Sequence, residues 1–169
     1  PLIATLATHY ATNFDQEDQY NFCKNGLEFV YQSSISALAD PSSPLLQELL
    51  HDIEHADIAE RVQGMLHYGK QSAGNLFKRP EASFKQLATL VKQEFRNYQK
   101  HFANSECELI QSFPDELEFT SSWYVNMMQG GHLSAHIHEV GWISGAVYLA
   151  MPSVAGDEGS FEYIWFPVL

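Results

Sequence analysis

His136 and His138 stand one residue apart among β-forming neighbours, and that spacing has a chemical meaning. In an extended strand, residues i and i+2 project from the same face, roughly 6.6 Å apart along the axis. Two imidazoles so placed can reach one metal ion. Imidazole suits iron, zinc, nickel and copper alike, so the pair does not choose the metal. His132 shares their parity, but in a regular strand it lies roughly 20 Å from His138, which leaves it outside the ligand set. The competing description is two polar side chains on a solvated strand face. The adjacent Glu139 and the preceding Gly130-Gly131 turn favour a site.

Three other stretches carry polar groups that could do chemistry. His51-Asp52-Ile53-Glu54-His55 has the H-x-x-E-H form, in which histidines at i and i+4 of a helix hold zinc and the glutamate polarises water. Its helix already spends Leu46, Leu49, Leu50 and Ile53 on a buried face, so both histidines are expected toward solvent. Alternation places Tyr124 and Asn126 on one face of a strand, where they are candidate hydrogen-bonding groups for a cofactor. Ser144, in a strand apolar on both faces, is a third such candidate, and Gly145 beside it permits close approach. No Gly-rich phosphate loop, nucleophile elbow or supported cysteine nucleophile occurs, so no catalytic acid–base residue is assigned.

The elements that must position these groups fall into two textures. Ser42-Ser43-Pro44 announces a helix, with serine at the cap and proline at the first position. Leu45, Leu46, Leu49, Leu50 and Ile53 give it one apolar stripe, which weakens near Ala56 to Ala59. Gly64, Gly69 and Gly74 punctuate the next region as turns. A second helix starts at Pro80 to Ser83, ends near Asn104 and lines one face with Phe84, Leu87, Leu90, Val91, Phe95, Tyr98 and Phe102. Pro1 to Tyr10 reads as the end of a helix and Leu27 to Gln32 as a short strand. From Glu106 onward, five runs read as strands: 107–113, 117–128, 132–138, 142–151 and 160–166. The expected class is therefore α+β, an antiparallel β region with the preceding helices packed on one of its faces.

Composition narrows the function classes. The 169-residue chain is 45% hydrophobic and 13% aromatic, as expected of one folded domain with a proper core. Its net charge of −12, from 21 acidic and 9 basic residues, opposes a phosphate backbone, and nucleic acid is excluded as a partner. Two cysteines without a CxxC motif fit a reducing, cytoplasmic setting. No apolar run of about 18 residues points to a membrane. The chain opens on Pro1 and closes on Leu169 as though cut from something larger.

Trp123-x-Val125, Gly130-Gly131, His136-x-His138, Trp142-Ile143-Ser144-Gly145-x-Val147-Tyr148-Leu149, Pro152 and Gly159 together resemble a family of 2-oxoglutarate/Fe(II)-dependent oxygenases, whose members are often attached to tetratricopeptide repeats. Gly74-Asn75-Leu76-Phe77 and the helix after it share the likeness, which spans roughly residues 27–163. The resemblance implies a double-stranded β-helix (a cupin-like jelly roll) over 27–169, preceded at 1–26 by a remnant of a helical repeat region. It implies Fe(II) and the co-substrate 2-oxoglutarate, and a small molecule or a protein side chain as substrate. Matched residue by residue, His136 takes the first ligand position and His138 that of the usual carboxylate, which leaves a three-histidine, cupin-like dioxygenase as an alternative. The distal histidine and the basic anchor for 2-oxoglutarate belong beyond Tyr163, where only Ile164 to Leu169 remain. A jelly roll needs about eight strands and fewer candidates stand here, so the expectation is an incomplete barrel whose open edge invites a second copy. Two rival functions are a non-catalytic β-sandwich that binds a partner and a zinc hydrolase built on His51 and His55.

Overall fold

The structure, a computed structural model, describes residues 2–18, 22–23, 25–136, 138 and 141–151. Its helices are α1 (Leu2–Phe14), α2 (Ser36–Ala39), α3 (Pro44–His55), α4 (Ala82–His101) and α5 (Glu108–Gln111), and its strands are β1 (Glu60–Arg61), β2 (Leu66–Ser72) and β3 (Val125–Leu133). The chain divides into two units, one of residues 1–32, 97–115 and 138–169, the other of 33–96 and 116–137. No helix among the described residues is long and apolar enough to cross a membrane.

In the second unit the strands form one antiparallel sheet in the order β1-β2-β3. α3 forms where its signals stand. Pro44 occupies the first turn, and the Ser43 hydroxyl caps the helix by accepting from the Leu46 amide at 3.5 Å while donating to the Ala37 carbonyl at 2.5 Å. The stripe buries Leu45, Leu46 and Leu49, the last with no exposed surface. Phe84 and Leu87 from α4, Leu66 from β2 and Leu76 complete the unit's buried apolar set. Ser83, also without exposed surface, donates its hydroxyl to the Asp52 carboxylate at 2.5 Å, which ties α4 to α3.

The turn after β2 is held by side chains. The Asn75 carbonyl oxygen accepts from the Phe77 amide at 3.2 Å and from the Ser122 hydroxyl at 2.6 Å, while its amide nitrogen donates to the Phe119 carbonyl at 3.1 Å. Ser122 completes the knot by accepting from the Leu76 amide at its carbonyl and from the Phe77 amide at its hydroxyl. Phe119 packs edge-on against Phe77 at 4.5 Å, and the Lys92 ammonium stands 5.7 Å from its ring centre.

In the first unit, Tyr98, Cys107, Leu109, Ile110 and Phe113 are buried. The Phe22 carbonyl receives the Leu109 amide at 2.9 Å and the Cys107 thiol at 3.0 Å. Trp142 stands edge-on to Phe22 at 5.0 Å and donates its indole N–H to the Leu109 carbonyl at 3.0 Å. Burial, reinforced by the neighbouring Cys107, pushes the Cys23 thiol up to about 12, so it carries its proton at neutral pH.

The two long helices lie where the periodicity places them, and α1 extends past Tyr10 to Phe14. Several expected strands are corrected. Leu27 to Gln32 begins as a 3-10 turn over Gly26–Phe29, and the run 107–113 contains α5. Both are short apolar stretches that local hydrogen bonds close into turns. Only 125–128 of the run 117–128 is strand, and the run 132–138 leaves the strand after Leu133. The described residues 141–151 form no strand, although the central strand of the barrel was expected there, and the run 160–166 lies outside the described residues. The glycine-punctuated region holds β2, where turns were expected. What stands is a mixed helix-and-sheet fold with a small three-stranded antiparallel sheet.

Ser83→Ala leaves the Asp52 carboxylate without its buried donor, and a loss of about 1–3 kcal/mol in chemical denaturation is expected. Iodoacetamide at pH 8 is expected to leave Cys23 unlabelled until denaturant is added, read by mass spectrometry, because the attacking species is the thiolate.

Candidate functional site

The site-bearing segment runs out of β3. At one end of the β2–β3 ladder the Ser72 hydroxyl accepts from the Tyr124 amide at 3.0 Å, and the Ser72 amide donates to the Tyr124 carbonyl at 3.1 Å. At the other end Leu66 pairs with Leu133, and the Ser134 amide donates to the Met65 carbonyl at 2.8 Å. Between them the ladder is irregular. His67 pairs with His132 and Gly69 with Met127, so Tyr68 alone stands opposite residues 128–131. Gly130 takes a left-handed φ of +75°, and a Cβ at Gly131 would lie 2.6 Å from the Tyr68 carbonyl oxygen and 2.8 Å from that of Met128. The glycine pair, expected as a turn between strands, is instead a bulge inside one.

His136 and His138 follow the strand's end and are both exposed. The His136 Nδ1 lies 2.7 Å from the Ser134 carbonyl oxygen. A carbonyl only accepts, so Nδ1 carries the proton and Nε2 presents its lone pair, the form in which imidazole ligates a metal. The donor chemistry of His136 therefore fits a transition-metal ion. His136 belongs to the second unit and His138 to the first. Among the described residues no three His, Cys, Asp or Glu side chains gather as a metal cage.

Of the candidate cofactor-binding residues, Tyr124 is half-buried beside β3 and Asn126 is exposed within it, paired with Lys70. The Tyr124 hydroxyl donates to Glu60 at 3.1 Å, and Lys70 pairs with the other oxygen of Glu60 at 3.2 Å. Burial first, and then the bond to Glu60, hold the Tyr124 phenol above its ordinary value. Ser144 is exposed and lies in the other unit.

His51 and His55 stack at 4.3 Å on the exposed face of α3, and the His55 Nδ1 donates to the His51 carbonyl at 2.9 Å. Asp52 is taken by Ser83, and no acidic third ligand joins the two histidines among the described residues. The hydrolase arrangement has no support.

One histidine was missed in the sequence. His67 lies in the region expected as loops, and its ring stacks on that of His132 at 4.6 Å. The available signal was the length of the polar run from Leu66 to Ser72 between glycine breaks, which a strand can fill when its partner supplies hydrogen bonds.

Gly131→Ala is expected to cost about 1–3 kcal/mol in thermal or chemical unfolding, since its new methyl meets two backbone oxygens that cannot move aside.

No curated protein and no solved structure matches the chain. A family model described as "Putative 2OG-Fe(II) oxygenase" matches residues 121–163, a range that contains β3, both exposed histidines after it and Ser144. Over residues 121–163 the chain is thus similar to the 2OG-Fe(II) oxygenase family.

Proposed function

We propose that this chain is part of a double-stranded β-helix oxygenase that couples 2-oxoglutarate decarboxylation to oxidation of a small molecule or a protein side chain. In this reading His136 and His138 are ligands of Fe(II). The observation that carries it is the bond from His136 Nδ1 to the Ser134 carbonyl, which puts the neutral ring's lone pair on Nε2. It lies within the segment matched by the oxygenase family.

Iron, when bound, supplies the activation of O₂ for oxidation of the substrate. The chain's own part is positional. The Ser134 carbonyl holds the proton on the far nitrogen of His136, and that carbonyl is itself held because the Ser134 amide is tied to Met65. Asn126 and Ser144 are the proposed hydrogen-bonding groups for the co-substrate. Tyr124 joins them only when its hydroxyl exchanges Glu60 for the incoming carboxylate, because Glu60 as placed repels a second anion. Two free thiols, Cys23 and Cys107, support a reducing compartment, and we place the protein in the cytoplasm.

The second reading is a binding module without catalysis, favoured by the exposure of both histidines. Anaerobic Fe(II) titration of the full chain separates the two when repeated on His136→Ala. The oxygenase reading expects affinity to fall by about tenfold or more on loss of a ligand. It also expects succinate release coupled to O₂ uptake when the iron-loaded protein meets 2-oxoglutarate. Equal iron binding by both proteins overturns the ligand assignment.

A further inference from the structure

His67 and His132 face each other across β2 and β3 as register partners, so their side chains leave the same face of the sheet. Both are exposed. Their rings lie nearly parallel, with centres 4.6 Å apart and planes 17° apart. His67 Nε2 is also 3.0 Å from the Ser134 hydroxyl.

The backbone that brings the two rings together is costly. Tyr68, next to His67, has a φ of +50°, in the left-handed region that a residue with a side chain rarely adopts. Opposite it β3 accommodates residues 128–131 through a left-handed Gly130 and a Gly131 with no room for a Cβ. Removing the bulge would restore a relaxed ladder and would take His132 out of register with His67. Strain of this kind, held by its surroundings, marks positions kept for a task.

We propose that His67 and His132 form a two-histidine site for a late first-row divalent cation (nickel, copper or zinc), separate from the iron site and completed by water. Imidazole suits these ions. Metal–nitrogen bonds of about 2.0–2.1 Å place neighbouring ligand nitrogens roughly 3–3.4 Å apart, so the stacked rings need only hinge together at one edge. That movement is a side-chain rotation on an exposed face and leaves the ladder intact. In the tautomer whose Nε2–H is donated to the Ser134 hydroxyl, His67 offers the Nδ1 lone pair to the ion. His51 and His55 also stack, but ordinary helical spacing produces that contact and no left-handed residue adjoins it.

The test uses the full chain carrying H51Q, H55Q, H136A and H138A, titrated calorimetrically with Ni²⁺. One equivalent is expected to bind, and adding H67Q or H132Q is expected to weaken it by about tenfold or more. Binding unchanged by either substitution, or absent from the four-site variant, overturns the proposal. Should H132Q fail to fold by circular dichroism, the unsubstituted chain decides. Zn²⁺ is then expected to shift the ring nitrogens of His67 and His132 together in ¹⁵N-histidine spectra, and rings that stay unshifted refute the site. Loss of Fe(II) binding in H136A is measured separately, so failure of the oxygenase reading leaves this outcome readable.

Discussion

Asn75 and Ser122 fasten the turn after β2 to the approach of β3, and the sheet depends on that fastening. β2 buries Gln71 and Ser72 where an ordinary strand would bury aliphatic residues, so the hydrophobic effect alone gives this ladder little grip. Each hydrogen bond contributes only about 0.5–1.5 kcal/mol net. Arranged as a set with every member paired, they specify one register, because any slip would strand buried polar atoms. Among the described residues no buried side-chain nitrogen or oxygen lacks a partner. The register so fixed sets where β3 ends, and therefore where His136 emerges.

The same register explains why the histidines divide into two kinds. His132 lies inside the ladder and meets a ring from another strand. His136 lies beyond it, with its Nδ1 against the carbonyl of its own backbone two residues upstream. Ser134 serves both, with its hydroxyl toward His67 and its carbonyl toward His136. One residue at the end of a strand thus bears on the protonation pattern of two imidazoles in different settings.

What could be read from the sequence follows from what holds each element. α3 and α4 were legible because apolar residues at helical spacing both form the helix and bury it, and because Ser43 and Pro44 mark a start that needs no distant partner. β2 was illegible because Leu66 to Ser72 contains a single aliphatic residue, and its hydrogen bonds come from Tyr124 and its neighbours across the ladder. Leu109 and Ile110 read as strand because a short apolar run has no period of its own; bonds to the Phe22 carbonyl and within the turn close it as helix. At the candidate site His136 and His138 were legible as a spacing alone. The strand parity invoked for it ends at Leu133, and the tautomer of His136 needed the fold. His67 had only the length of its polar run as a signal, since its partner is far along the chain.

The excursion at residues 128–131 has a consequence for how this sheet can change over evolutionary time. Chain length gained or lost there is absorbed off the ladder, like slack in a rope between two cleats, and Tyr124 to Met127 need not shift when it happens. A regular strand has no such slack: adding one residue would turn every later side chain to the opposite face. This geometry lets the histidine-bearing end of β3 be re-phased against β2 while the pairs near Ser72 keep their places.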